Sequence, residues 1–112
     1  MASQNERILV VESDPDISDL IARQALKPMG YQVTVVGEAA AALQEAIFSN
    51  PDLVIANLTL PGLSAKDLLV AFSAQGITAP LILVAENGQE ADGNQSFRLG
   101  ASDVLFWPAR DA

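Results

Sequence analysis

The sequence predicts an α/β domain built on a five-stranded parallel sheet that is doubly wound, with helices on both faces. Three observations favour this fold. Short uninterrupted apolar runs recur along the chain, as expected of strands that are buried on both sides. Segments with helical periodicity separate these runs, and the loops between them are short. The length of 112 residues suits one domain and leaves no room for a second core.

The first strand is predicted at residues 8–11, and a helix is predicted to follow it. Asp14 is a candidate N-cap, Pro15 suits the first helical position, and Gly30 ends the segment. The apolar positions of this helix recur at helical spacing: Ile17, Leu20, Ile21 and Ala25. The next strand, residues 31–36, alternates polar and apolar side chains, which is typical of an edge strand.

The middle of the chain repeats the strand and helix pattern. An Ala-rich helix is predicted at residues 38–48, with Ala40, Leu43 and Ile47 facing the core. A buried strand follows at residues 53–56 and ends at Asn57. Ser64 and Asp67 then form a candidate capping box. The helix that this capping box opens carries three predicted core residues, Leu68, Leu69 and Phe72.

The last third of the chain is less regular. A buried strand is predicted at residues 81–84, and a final strand at residues 104–106. The segment between them, residues 86–99, contains Asn-Gly and Asp-Gly pairs, so we expect a short or mobile helix there. Five strands with an early edge strand suit the flavodoxin-like order 2-1-3-4-5.

In such a sheet, ligands bind outside the carboxyl ends of the strands. The residues at those predicted ends are the candidate functional residues: Glu12, Ser13, Asp14, Asn57, Ala85, Glu86 and Trp107.

Composition excludes several classes of function. The chain has no cysteine and no histidine, which rules out disulfides, thiolate metal sites and the usual general base near neutral pH. A net charge of −8 with only six scattered basic residues argues against binding to nucleic acid or to anionic membranes. The polar N-terminus lacks the layout of a signal peptide, so we expect a cytoplasmic protein.

Several segments resemble one known family. Residues 7–15 are similar to the opening of a response-regulator receiver domain, the phosphoacceptor module of two-component signalling. Residues 51–62 resemble that family's central strand and the loop after it. Residues 80–84 and 100–103 resemble its fourth strand and the approach to its fifth. The resemblance covers nearly the whole chain and implies the same fold and a part in phosphorelay signalling.

The resemblance also marks positions where this sequence departs from the family. Asn57 stands where receivers carry the phosphorylated Asp, and Ser13 replaces one of two adjacent acids that hold Mg²⁺, of which Glu12 remains. Ala85 stands at the position of the Thr or Ser that turns toward the phosphoryl group. Val104 takes the place of the aromatic residue that changes rotamer, and Trp107 takes the place of the phosphoryl-binding Lys.

These departures predict a degenerate receiver that is not an enzyme. An amide oxygen is a poor nucleophile, and loss of the Lys removes the cation that would stabilise phosphoryl transfer. Glu12, Asp14 and a neutral carbonyl at Asn57 are weak ligands for Mg²⁺, so we expect no metal or other cofactor. Asp14 is favoured as a helix cap over a metal ligand by roughly two to one. Asn57 is either a structural residue that binds loop backbone or a mimic of one signalling state, at about even odds.

The leading hypothesis is therefore a phosphorylation-independent interaction module. We expect its partner to be another protein, a downstream effector domain or a second copy of the chain. Two alternatives remain: phosphorylation at Ser13 or Asp14, and, ranked low, a small-molecule-binding flavodoxin-like domain, because no Gly-rich phosphate loop follows the first strand. Receivers also end in a fifth helix, which residues 1–112 lack after the fifth strand. We expect residues 1–112 to be the N-terminal part of a longer protein.

Overall fold

A computed structural model describes residues 6–86 and 88–107, apart from the side chain of Trp107. The strands are β1 Arg7–Val11, β2 Gln32–Val36, β3 Leu53–Asn57, β4 Leu81–Glu86 and β5 Asp103–Trp107. The α-helices are α1 Pro15–Asp19, α2 Ala39–Ser49, α3 Ala65–Ala74 and α4 Glu90–Arg98. Among these residues, none of the helices has the length and apolarity that crossing a membrane would require.

The strands form one parallel sheet in the order β2-β1-β3-β4-β5, which confirms the predicted topology. Strand β2 lies at an edge, as its alternating sequence predicted. Val10 of β1 is fully buried, whereas its partner on β2, Val35, is 43% exposed. The fifth helix expected of the family concerns residues beyond Trp107, which lie outside the described part of the chain.

Successive side chains of a buried strand point to opposite faces of the sheet, so both faces need to be covered by helices. Leu9 and Val11 of β1 belong to the main core, where they meet α2 and α3. Ile8 and Val10 are equally buried and point to the other face. Ala85 and Val104 also lie in the main core, which places two of the candidate positions inside the domain.

The segment after β1 differs from the predicted regular helix. Asp14 caps α1, with Oδ1 accepting the backbone N–H groups of Asp16 and Ile17, as the sequence predicted. After Asp19 the chain continues as a π-helical stretch, Leu20–Leu26, and a 3-10 turn, Lys27–Met29. The wider turn brings Ile17 and Ala22, five residues apart, to the same buried face. Leu20 and Ala25, predicted to face the core at regular helical spacing, are exposed instead.

The face of α2 that meets the core was also predicted incorrectly. The predicted core positions Ala40 and Ile47 are exposed, whereas Leu43 is half-buried and packs against the main core, as predicted. The buried residues lie one position earlier in each turn: Ala39, Ala42 and Ala46. Small side chains on this face let the helix backbone approach the sheet and α3 closely. The larger side chains consequently point outward, and Phe48 is 88% exposed.

The two remaining helices agree with the sequence. Ser64 and Asp67 form a reciprocal capping box at the start of α3, and Leu68, Leu69 and Phe72 are buried, as predicted. Helix α4 has nine residues, which confirms that it is short. Position 93, a glycine within α4, has little room for a side chain. A Cβ atom there would be only 2.9 Å from the ring of Phe106 on β5. The glycine therefore permits close packing of α4 on the sheet.

Candidate functional site

A cleft of about 280 Å³ lies at the carboxyl ends of β1, β3 and β4, where a doubly wound sheet is expected to bind ligands. Six of its lining residues follow or end a strand, and two more come from α1 and the approach to α4. The lining residues are Glu12, Ser13, Asp14, Ile17, Asn57, Thr59, Glu86 and Gln89. The structure therefore brings together the strand-end residues of β1, β3 and β4 that the sequence singled out.

The centre of the cleft is a hydrogen bond between side chains on neighbouring strands. Nδ2 of Asn57, the last residue of β3, donates to Oε1 of Glu12, just after β1, over 2.7 Å. The other carboxylate oxygen of Glu12 accepts the backbone N–H of Asp14 at 2.9 Å. Glu12 is only 4% exposed, so each of its oxygens has a partner in a place where water has little access.

The amide of Asn57 is held at its other end as well. Its Oδ1 accepts the backbone N–H of Thr59 at 2.9 Å, which is the local side-chain-to-backbone turn that Asn favours. The oxygen therefore faces the loop after β3 and the nitrogen faces Glu12. The predicted contact of the Asn57 amide with loop backbone is therefore present, and the amide also binds Glu12 in the acidic cleft, whereas mimicry of one signalling state stays a prediction.

The remaining acidic residues at the rim have different surroundings. Oδ1 of Asp14 accepts a hydrogen bond from the backbone N–H of Asp16, in the first turn of α1, at 2.9 Å. Ser13 is exposed, and so is Glu86 at the end of β4. Among residues 6–86 and 88–107, the lining contains three carboxylates and neither Lys nor Arg, so this part of the cleft is acidic. Within the described ranges, no group of three or more His, Cys, Asp or Glu side chains is arranged to hold a metal ion.

Two residues of the site were missed by sequence reasoning, Thr59 and Gln89. Oε1 of Gln89 accepts the backbone N–H of Glu86 at 2.7 Å, and Nε2 donates to Oγ1 of Thr59 at 2.9 Å. The Gln89 side chain thus joins the end of β4 to the loop after β3. A polar residue shortly after a strand is a weak signal, and the partner 30 residues away is visible only in the folded chain.

Two further candidate positions, Ala85 and Val104, are not among the described lining residues of the cleft. Ala85 is 1% exposed and Val104 is 9% exposed, and both pack in the apolar core. Trp107 ends β5 opposite Glu86 of β4, so its backbone lies at the same edge of the sheet. The conformation of its side chain lies outside the described part of the chain.

Comparison with known proteins agrees with this architecture. The family described as the response regulator receiver domain matches residues 8–112. The alkaline phosphatase synthesis transcriptional regulatory protein SphR of Synechococcus elongatus is 32% identical over 96% of this chain and 45% of its own length. The sensory transduction protein RegX3 of Mycolicibacterium smegmatis is 34% identical over 90% of this chain and 43% of its own length. The chain thus spans slightly less than half of these relatives.

Solved structures show the same likeness in three dimensions. The receiver domain of NtrX from Brucella abortus superposes with a TM-score of 0.84 at 28% identity, covering 92% of this chain and 87% of that one. The BeF₃-activated N-terminal receiver domain of RstA from Klebsiella pneumoniae gives a TM-score of 0.82 at 28% identity, covering 90% and 85%. With its sheet order, its cleft at the strand ends and a family match over nearly its whole length, this chain belongs to the response regulator receiver domain family.

Proposed function

We propose that this receiver domain regulates a protein partner without being phosphorylated. The observation that carries the proposal is the bond between Asn57 and Glu12 at the centre of the cleft. Receivers place a carboxylate at the end of β3, as the family resemblance implies, and this chain has an amide there. The amide has a partner at both ends, with its nitrogen donating to Glu12 and its oxygen accepting from the backbone N–H of Thr59.

The chemistry of the cleft supports this proposal. Formation of an acyl phosphate needs a carboxylate oxygen that attacks phosphorus, and the neutral amide oxygen of Asn57 is a poor nucleophile. Ala85 has no hydroxyl that could contact a phosphoryl group. The three carboxylates of the lining would repel the phosphodonor, and none of the lining residues that the structure describes is a cation that would offset them.

Mg²⁺, which the family implies, does not fit the residues present. The ion prefers carboxylate ligands in near-octahedral geometry. Both oxygens of Glu12 already accept hydrogen bonds from nitrogen donors, and the Asn57 nitrogen occupies the side of Glu12 that faces β3. These two N–H donors therefore stabilise the negative charge of the buried Glu12 carboxylate, as a cation would. No step of the proposed function uses a metal.

The output in this proposal is a contact with another protein. The relatives SphR and RegX3 are named as a transcriptional regulatory protein and a sensory transduction protein, and each is about twice as long as this chain. The face formed by α4 and β5 exposes the apolar side chains of Phe97 on the helix and Phe106 on the strand, whose ring packs against Gly93 of α4. We propose that this face meets an effector domain or a second copy of the domain.

Intact-mass spectrometry after incubation with Mg²⁺ and acetyl phosphate tests this function. We expect no increase of about 80 Da, under conditions in which a receiver with Asp at this position is modified. An adduct on the wild-type protein would contradict the proposal. If the adduct disappeared in Ser13→Ala, the exposed serine of the cleft would be the acceptor, and the function would be that of a phosphorylated receiver.

A further inference from the structure

The side chain of Gln89 connects two loops that the chain order leaves far apart. Its amide oxygen holds the backbone N–H of Glu86 at the end of β4, and its amide nitrogen holds the hydroxyl of Thr59 after β3. Gln89 precedes α4 at the capping position, but its side chain makes no hydrogen bond to the first turn of that helix. The amide therefore does not serve as an ordinary helix cap.

These contacts continue the network at the centre of the cleft. Glu12 accepts from Asn57, Asn57 accepts from the N–H of Thr59, and the Thr59 hydroxyl accepts from Gln89. Gln89 in turn accepts from Glu86. A continuous hydrogen-bonded chain consequently runs from the end of β1 past the end of β3 to the end of β4.

We propose that Gln89 is a strap that fixes the start of α4 in one position without a bound ligand. This inference rests on the proposed function, because a strap of this kind substitutes for a phosphoryl group that would otherwise order the same two loops. It adds that the α4–β5 face is held in a constant arrangement by residues of the cleft.

Two further contacts hold α4 against its neighbours, one on α3 and one on β5. Lys66 of α3 donates to Asp92 Oδ1 at 2.9 Å and to Gln95 Oε1 at 3.2 Å, which ties α4 to its neighbouring helix. Gly93 lies against the ring of Phe106 on β5, where even a methyl group would be too close. With its beginning and its middle both held, α4 has little freedom to shift relative to β5.

Amide hydrogen exchange measured by NMR tests the strap through Thr59→Val. Thr59 is exposed, and valine keeps its shape and its backbone N–H while removing the hydroxyl. The described hydrogen bonds connect the Thr59 hydroxyl to the Glu86 amide through Gln89, so we expect an effect at that amide to be transmitted by Gln89. We expect exchange at Glu86 to become about threefold to tenfold faster, as for loss of one hydrogen bond. Exchange at Leu83, in the buried part of β4, should stay unchanged.

Two variants complete the experiment. Gln89→Ala removes both contacts of the side chain, so it should give the largest increase in the exchange rate of the Glu86 amide. Gln95→Ala removes a glutamine within α4 whose partner Lys66 still binds Asp92, so exchange at Glu86 should not change. If Gln89→Ala accelerated exchange at Glu86 while Thr59→Val did not, the two contacts would be independent and the strap would be refuted. Phosphorylation of the wild-type protein would refute the proposed function and would leave this exchange result intact.

Discussion

The side-chain nitrogen of Asn57 lies 2.7 Å from Oε1 of Glu12, a carboxylate that is only 4% exposed. A buried charge is costly unless donors surround it, and here the donors are an amide and a backbone N–H. The pair therefore stabilises a strand-end acid with neutral groups alone. Replacing the amide by a second acid would remove one donor and add a like charge.

The first prediction concerns the stability of Asn57→Asp. We expect this variant to lose about 1–3 kcal/mol of unfolding free energy at neutral pH, because a buried carboxylate loses its donor and gains a charged neighbour. Urea denaturation measures the loss. Asn94→Asp, on the exposed side of α4, adds the same charge where Glu90 and Arg98 lie one turn away on either side and should change stability by less than about 0.5 kcal/mol.

Phosphorylation of the same variant is a separate prediction. We expect Asn57→Asp to accept phosphate from acetyl phosphate slowly or not at all, because Ser13, Ala85 and Trp107 remain in place. Intact-mass spectrometry over time gives the rate. Rapid modification would mean that the single amide is all that separates this cleft from a working one.

A third prediction tests the close packing of α4 on β5. Alanine favours a helix over glycine by about 1 kcal/mol, but a Cβ at Gly93 would lie 2.9 Å from Phe106 Cζ and 3.1 Å from Val104 Cγ1. Crowding of this kind typically costs about 1–3 kcal/mol, so we expect Gly93→Ala to be destabilising by about 1 kcal/mol. In a Phe106→Leu background the penalty should vanish. Equal effects in both backgrounds would argue against the contact.

A fourth prediction concerns the titration of Asp19. A hydrogen bond from Arg23, and a second from Gln24, hold the pKa of Asp19 below its ordinary value of 3.8. A folded pKa below the unfolded one means that the stabilisation is complete above the unfolded value and is lost as pH falls through the folded value. The effect on stability is small because both side chains of the pair face solvent.

The measurement for Asp19 is its carboxyl ¹³C shift against pH. Arg23→Ala should raise the pKa of Asp19 toward 3.8, whereas Lys27→Ala, which removes an exposed cation that does not contribute to the lowered pKa, should leave it unchanged. An unchanged pKa in Arg23→Ala would show that the Asp19–Arg23 pair does not form in solution.

Much of the fold could be predicted because its determinants are local. Apolar runs marked the strands, Asp14 and Ser64 marked helix starts, and the alternation in residues 31–36 marked the edge strand. The regular helical spacing predicted after β1 was wrong. A π-helical stretch follows α1, and its buried residue is Ala22 rather than residue 21. Hydrophobicity also misplaced the core face of α2, because close packing selects alanines over Ile47.

The candidate site could be located from sequence but not assembled. Strand ends placed Glu12 and Asn57 at one edge of the sheet, yet their hydrogen bond depends on the pairing of β1 with β3. Thr59 and Gln89 could not be identified, because neither is unusual in its own segment and their contact joins two loops. Long-range polar contacts of this kind depend on register and side-chain direction, which appear only when the sheet has formed.

The most direct test of an inert cleft is an NMR titration of the wild-type protein with Mg²⁺ and beryllofluoride. The RstA receiver, which has been solved in its BeF₃-activated form, provides the positive control. We predict no saturable shifts at Glu12, Asn57 or Gln89 beyond those that Mg²⁺ and fluoride cause separately. Saturable shifts clustered around Asn57 and extending into α4 would contradict the account.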